Sequence, residues 1–156
     1  MKIKINFMGF DLSVVSVSDI LNDLVDSKSI FVTFVNPVTF SLARKDSEYF
    51  NCINRFDYVL SDGFLISLLF KLKFFVSCPR ISFDSTSLAS YIFEHAVEFN
   101  KSIVLVGAKP GVAVKAKKNF ISKYDGLEII ACFSGYGDDV AAANDFILSN
   151  KVDIVI

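Results

Sequence analysis

The stretch Val59–Phe74, VLSDGFLISLLFKLKF, sets an Asp-Gly pair between a short apolar run with strand character and a longer apolar run of helical length. A strand that ends in a polar turn and feeds a helix is the repeating unit of an α/β protein, so the reading of this stretch decides the fold class. It also poses a chemical question, because Asp62 stands where an acid either caps the helix or faces a ligand.

The same order recurs on both sides. KIKINF reads as a strand, and VSDILNDLVDS as a helix capped by Ser18 or Asp19, with Ile20, Leu21, Leu24 and Val25 on one face. SIFVTFV is a β-branched and aromatic strand that ends at Asn36, and Pro37 suits the first turn of a helix continuing through VTFSLARKDSEYF. DYVL is a short strand running into Ser61, Asp62 and Gly63. After an irregular loop, SCPRISFDSTS, residues 87–100 have helical periodicity. KSIVLVG is then a buried strand, PGVAVKAKKNFISKY a helix with a basic outer face and Pro110 in its first turn, and GLEIIACF a strand. The loop SGYGDD, the helix VAAANDFILSN and the strand VDIVI complete the order. This alternation predicts an α/β fold with a mainly parallel, Rossmann-like sheet and helices on both faces.

Composition bounds the function. The chain has 156 residues, which suits one domain with a sizeable core and no linker or low-complexity tail. It is 53% hydrophobic and 21% charged, with mean hydropathy +0.49, which excludes disorder and predicts thorough burial, a sticky face, or both. A formal net charge of -1 with scattered basic residues lacks the footprint of a nucleic-acid binder. The most apolar segment, residues 64–76, is too short to span a bilayer and carries Lys71 and Lys73, so it reads as a buried helix with at most one membrane-facing edge. The first 16 residues have no long apolar core or cleavage site of a signal peptide, which points to the cytoplasm. Cys52, Cys78 and Cys132 fit neither a disulfide framework nor a zinc site, and read as buried thiols.

Ligands of open parallel sheets bind at the carboxyl ends of the strands. The candidate residues are therefore Thr33 and Asn36, Ser61–Gly63, Gly107–Gly111 and Ser134–Asp139. Arg80 and Asp84, in the irregular loop, can join them. Asp138 and Asp139 suit the start of a helix better than a metal site, and His95 lacks the second His of a zinc helix.

Five pieces, FVTFVNPVTFSLARKD, VLSDGFLI, RISFDSTSL, IVLVGAKPGVAVKAKKNF and LEIIACFSGYGDD, in this order and spacing, resemble the WecG/TagA/CpsF glycosyltransferases over nearly the whole chain. That resemblance implies a UDP-sugar-dependent hexosyltransferase. It would transfer N-acetylmannosamine or a related sugar, with inversion and without a metal or other cofactor, to a lipid-diphosphate-linked sugar. The setting it implies is polysaccharide or teichoic acid biosynthesis for the cell wall, at the inner face of the cytoplasmic membrane. The family's proposed base maps onto Asp62. Whether the chain forms a homo-oligomer stays open.

Chemistry gives these residues roles beside the plainer ones. Asp62 can take the acceptor's proton, or cap the helix. Gly63 permits a sharp turn and keeps bulk from the sugar. VGAKPG, with Gly107 and Gly111, can turn backbone amides and a helix N-terminus towards a diphosphate, or be a tight turn. Arg80 can grip phosphate oxygens, or pair with Asp84. Gly135 permits a close bend, and Tyr136 can lie on a uracil or sugar ring, or sit in a surface turn. Asn36 can bond the sugar, orient Asp62, or cap a helix. Thr33 transfers less directly, because family members carry Thr two residues before the Asn, where Phe34 stands here; the shift in parity points Thr33 to the other face of the strand.

Three rival classes remain. A dinucleotide-dependent oxidoreductase is disfavoured because G-x-G-x-x-G is absent and LEIIACF ends without a ribose-binding acid. A non-catalytic sugar-nucleotide-binding module and a structural interaction domain are separated from an enzyme by donor turnover and by nucleotide binding. The strand VDIVI stops at Ile156. In the family that strand leads into further site residues, so the expectation is a single glycosyltransferase domain, residues 1–156, that is C-terminally truncated and has little transfer activity by itself.

Overall fold

The computed structural model of the chain describes residues 3–25 and 29–156. They fall into two units that divide between Ser90 and Tyr91.

The first unit opens with a hairpin, not with a strand feeding a helix. β1 (Ile3–Phe7) pairs antiparallel with β2 (Phe10–Val14), Phe7 opposite Phe10. The two residues between them, Met8 and Gly9, both have positive φ, 54° and 97°, the condition for a type I′ turn whose twist matches the strands. Asn54 holds this turn from outside: its Oδ1 accepts from the Asp11 amide at 3.2 Å and its Nδ2 donates to the Gly9 carbonyl at 3.1 Å. α1 (Val17–Val25) follows. Its cap is Ser16, not Ser18 or Asp19, because Asp19 at the third helical position reaches back to the Ser16 amide at 2.8 Å, while Ser16 Oγ accepts from the Asp19 amide. The expected end of this helix, Asp26 and Ser27, lies outside the described residues.

β3 (Val32–Val35) and β4 (Tyr58–Ser61) pair in parallel. The single helix expected between them is two, α2 (Pro37–Ala43) and α3 (Ser47–Ile53). The break falls at Asp46, whose carboxylate accepts from the Tyr49 amide and starts a new helix. β2 also touches β4, through a hydrogen bond from the Val59 amide to Ser13 Oγ at 3.2 Å. α4 (Phe64–Phe74) leaves β4. Phe7, Phe10, Leu12, Val35, Ile53, Val59, Ile66, Phe70 and Cys78 close into one core. Its rings meet edge-on or tilted, Phe10 with Phe40 at 4.9 Å and Phe7 with Phe70 at 5.7 Å, arrangements worth about 0.5–1.5 kcal/mol each beyond burial.

α5 (Leu88–Glu98) leads into the second unit. There β5 (Ile103–Val106) lies between β6 (Ile129–Phe133) and β7 (Ile154–Val155), all parallel, with α6 (Val112–Lys123) and α7 (Asp138–Ser149) as the connections. Ile103 and Val104 are fully buried, as a central parallel strand requires. Pro110 lies outside α6, because Gly111 in a left-handed conformation (φ 84°) is the cap and the helix starts at Val112. His95 is half-buried against the ring of Phe99 at 4.5 Å.

The chain is thus a mixed α/β fold with parallel sheets and an antiparallel hairpin, and a Rossmann-like arrangement is compatible with it. Two burial expectations are corrected. Cys52 is exposed, because the buried position of its short helix goes to Ile53. α4 is not a buried helix: Ile66 and Phe70 are its buried residues, and most of its large side chains are exposed.

The thiols report this packing. Burial pushes the Cys78 thiol up to about 11, so little thiolate forms there at neutral pH. A disulfide reagent at pH 7.5 is expected to label Cys52 at least tenfold faster than Cys78 in the native protein, with the difference vanishing in denaturant. Equal native rates, read by mass spectrometry, would contradict the packing of Cys78.

Candidate active site

The parallel pairing of β3 and β4 brings two of the expected residues together. Val35 is paired with Ser61, and the Asp62 amide donates to the Val35 carbonyl at 2.9 Å, so Asn36 and Asp62 follow side by side at the carboxyl ends of the two strands. Neighbouring strands lie about 4.8 Å apart, within side-chain reach. Thr33 sits further back, paired with Val59, and alternation puts it on the same face as the core residue Val35; Phe34 takes the other face and meets the ring of Phe83.

Asp62 does not cap α4. The cap is Gly63, with no side-chain hydrogen bond to the helix, and no described residue donates to or pairs with the half-buried Asp62 carboxylate. Gly63 has φ 111° and ψ 141°, a conformation side-chain-bearing residues avoid. Nothing lies within 4 Å of the place its Cβ would occupy, so the glycine leaves open space beside the acid. Asn36 does cap. Its Oδ1 accepts from the amides of Val38 at 3.0 Å and Thr39 at 3.1 Å, and Thr39 Oγ1 in return accepts from the Asn36 amide. Its Nδ2 donates to no described residue, so one amide edge is spent on the helix and the other is available.

Behind these strand ends runs the loop of residues 80–87, which the Ile81 amide ties to the Ser61 carbonyl at 2.9 Å. Asp84 is its staple. The Asp84 carboxylate accepts from Ser82 Oγ at 2.5 Å, from the Thr86 amide and hydroxyl, and from Arg80 at 3.0 Å. The bonds from Ser82 and Thr86, with Arg80 a smaller influence, hold its carboxyl well below the usual carboxylate range. The ion pair between Arg80 and Asp84 is therefore made, and it leaves the guanidinium half-exposed with donors to spare.

In the second unit the loops after β5 and β6 lie against each other. The Gly107 amide donates to the Phe133 carbonyl and the Gly135 amide to the Ala108 carbonyl, both at 3.0 Å. A Cβ on Gly135 would stand 3.2 Å from Gly107 Cα, so a side chain there would press on the neighbouring backbone. Gly107, Ala108 and Gly111 all have positive φ, a backbone conformation that side-chain-bearing residues rarely adopt. Asp138 and Asp139 do begin α7, and the Asp139 carboxylate accepts from the Ser134 amide across the loop. Tyr136 is 63% exposed at the tip of that loop. Among the described residues no three His, Cys, Asp or Glu side chains gather as metal ligands.

Several supporting residues escaped the sequence reading. Thr39, which orients Asn36, had a signal in the Asn-x-x-Thr spacing of a capping box. Ser82 and Thr86 stand at the spacing of side chains that turn a loop around an aspartate. Ala108 had none, since nothing in an alanine announces positive φ.

The chain belongs to the WecG/TagA/CpsF family of glycosyl transferases, whose family model matches residues 5–156. It is 34% identical over 140 residues to the UDP-Gal:alpha-D-GlcNAc-diphosphoundecaprenol beta-1,4-galactosyltransferase of Shigella boydii. The match covers 87% of this chain and 57% of that relative.

Two outcomes test these loops. Asp84→Ala is expected to speed hydrogen exchange at the Thr86 amide by at least tenfold while leaving the amides of β3 and β4 protected; no change would show that Asp84 does not hold the loop. Gly135→Ala is expected to cost about 1–3 kcal/mol in denaturant unfolding, the range for overpacking against backbone that cannot yield. A neutral effect would contradict the close approach at Gly107.

Proposed function

We propose that the protein is an inverting glycosyltransferase that moves a hexose from a UDP donor to a lipid-diphosphate-linked N-acetylglucosamine, with Asp62 as the base. The observation that carries this reading is the half-buried Asp62 carboxylate, left without a partner among the described residues beside an open glycine. Membership of the family and the reaction named for the Shigella relative support it.

In the proposed reaction the acceptor hydroxyl donates to Asp62. Its oxygen bonds to the anomeric carbon as the carboxylate takes the proton, and the bond to UDP breaks on the opposite face, its electron pair passing to the phosphate oxygen. Base assistance of this kind is worth about 10² to 10⁴-fold. Asn36 Nδ2 is the proposed donor to a sugar hydroxyl. Gly107–Gly111 is the proposed seat of the diphosphate, with backbone amides and the start of α6 offsetting its charge. Tyr136 is the proposed platform for the uracil, and Arg80 is a proposed phosphate contact. UDP-galactose is the first donor to test and UDP-N-acetylmannosamine the second. The proposed setting is cell-surface polysaccharide biosynthesis at the inner face of the cytoplasmic membrane.

Asp62→Asn keeps the shape of the side chain and removes its basicity. It is expected to lower transfer at least 10²-fold while leaving UDP affinity, by calorimetry, within about threefold. Both are measured in a version of the enzyme that is active in transfer, and transfer at the unsubstituted rate in that background would remove Asp62 from the chemistry.

A further inference from the structure

α4 buries one face in the core and leaves the opposite face uncovered. Ile66 and Phe70 point inward. Phe64, Leu65, Leu68, Leu69 and Leu72 are exposed, and Phe75, just past the helix, is 92% exposed. At about 100° per residue these positions form one continuous stripe, and Lys71 and Lys73 fall on its two opposite edges. Both lysines are exposed. The stripe itself carries no polar side chain. From Gly63 to Phe83 the sequence contains Lys71, Lys73 and Arg80 and no acid, in a chain whose formal net charge is -1.

Phe75 adds an independent sign. It holds φ 56° and ψ 21°, the left-handed position at a helix end that glycine normally fills. A phenylalanine there accepts backbone strain and, being exposed, gains no burial in return. The ring therefore serves something other than folding.

We propose that this face of α4 seats the protein on an anionic lipid bilayer. Phe64, Leu68, Leu72 and Phe75 enter the acyl boundary, and Lys71 and Lys73 reach up to the headgroup phosphates on either side, the arrangement of a helix that lies in the interface plane. A protein partner fits less well, because the stripe offers no hydrogen-bonding group to set register, and its rim has one sign of charge. The stripe begins two residues after Asp62, so the membrane level and the acid are fixed by the same short turn. Resting on the reading of Asp62 as the base, this seating brings a lipid-linked acceptor to the acid while its chain stays in the bilayer.

The test is flotation of the protein with phosphatidylcholine vesicles and with vesicles containing one quarter phosphatidylglycerol. Binding is expected to be at least tenfold tighter to the anionic vesicles and to weaken with salt. Leu68→Glu with Leu72→Glu is expected to lower binding at least tenfold with an unchanged melting temperature. Phe75→Gly is expected to raise the melting temperature while weakening vesicle binding, since glycine relieves the strain and removes the ring. Wild-type protein that binds neither vesicle, or variants that bind as the wild type does, would overturn the proposal. So would a wild-type dimer that the glutamates convert to monomer with vesicle binding intact, which would make the face an interface between copies. Asp62→Asn is expected to leave vesicle binding unchanged, so a failure of Asp62 as the base and a failure of the seating are read separately.

Discussion

The hydrogen bond from the Asp62 amide to the Val35 carbonyl, 2.9 Å long, is the constraint on which the candidate site depends. It continues the parallel ladder of β3 and β4 one step past the last paired residues, so the two strands end at the same level. Two chain directions follow from it. One strand turns at Asn36 into α2, the other at Gly63 into α4, and both polar side chains come out at one edge. Because Gly63 takes the cap position, the acid before it is released from structural duty, which is why a carboxylate can remain uncommitted in an otherwise satisfied region.

Other polar residues of the first unit are committed. Asn36, Thr39, Asp46, Asn54 and Asp84 all spend side-chain oxygens on backbone amides of their own segment or a neighbouring one. Each such bond fixes a turn, a helix start or a loop, at a gain of about 0.5–1.5 kcal/mol per bond. Against this background the Asp62 carboxylate and the Nδ2 edge of Asn36 are left without a partner among the described residues. The second unit fixes its loops through backbone contacts at Gly107, Ala108 and the close-fitting Gly135, with the Asp139 carboxylate accepting from the Ser134 amide.

The sequence by itself determined the order of elements, because periodicity and turn residues are local. The strands after β2, the helix starts at Pro37 and Asp138, and the run from β4 through Asp62 into α4 were legible from spacing alone, and the ordered motifs identified the family. It fell short wherever a local pattern supported two outcomes. FDLSV alternates as a strand does, but only the Met8–Gly9 turn and the grip of Asn54 make it the partner of β1. VTFSLARKDSEYF has helical periodicity throughout, and Asp46 breaks it by finding an amide three residues on.

Only the tertiary structure decided which of two roles each polar residue plays. Asp62 and Asn36 were both readable as caps or as ligand groups; the backbone geometry at Gly63 frees the first, and the amides of α2 hold one edge of the second. The exposure of α4 was likewise beyond the sequence. A helix of Phe and Leu on all sides reads as buried from composition, and which face is covered depends on how many neighbours the fold supplies. Here the core has room for Ile66 and Phe70, and the remaining stripe is left outside by geometry that no local pattern encodes.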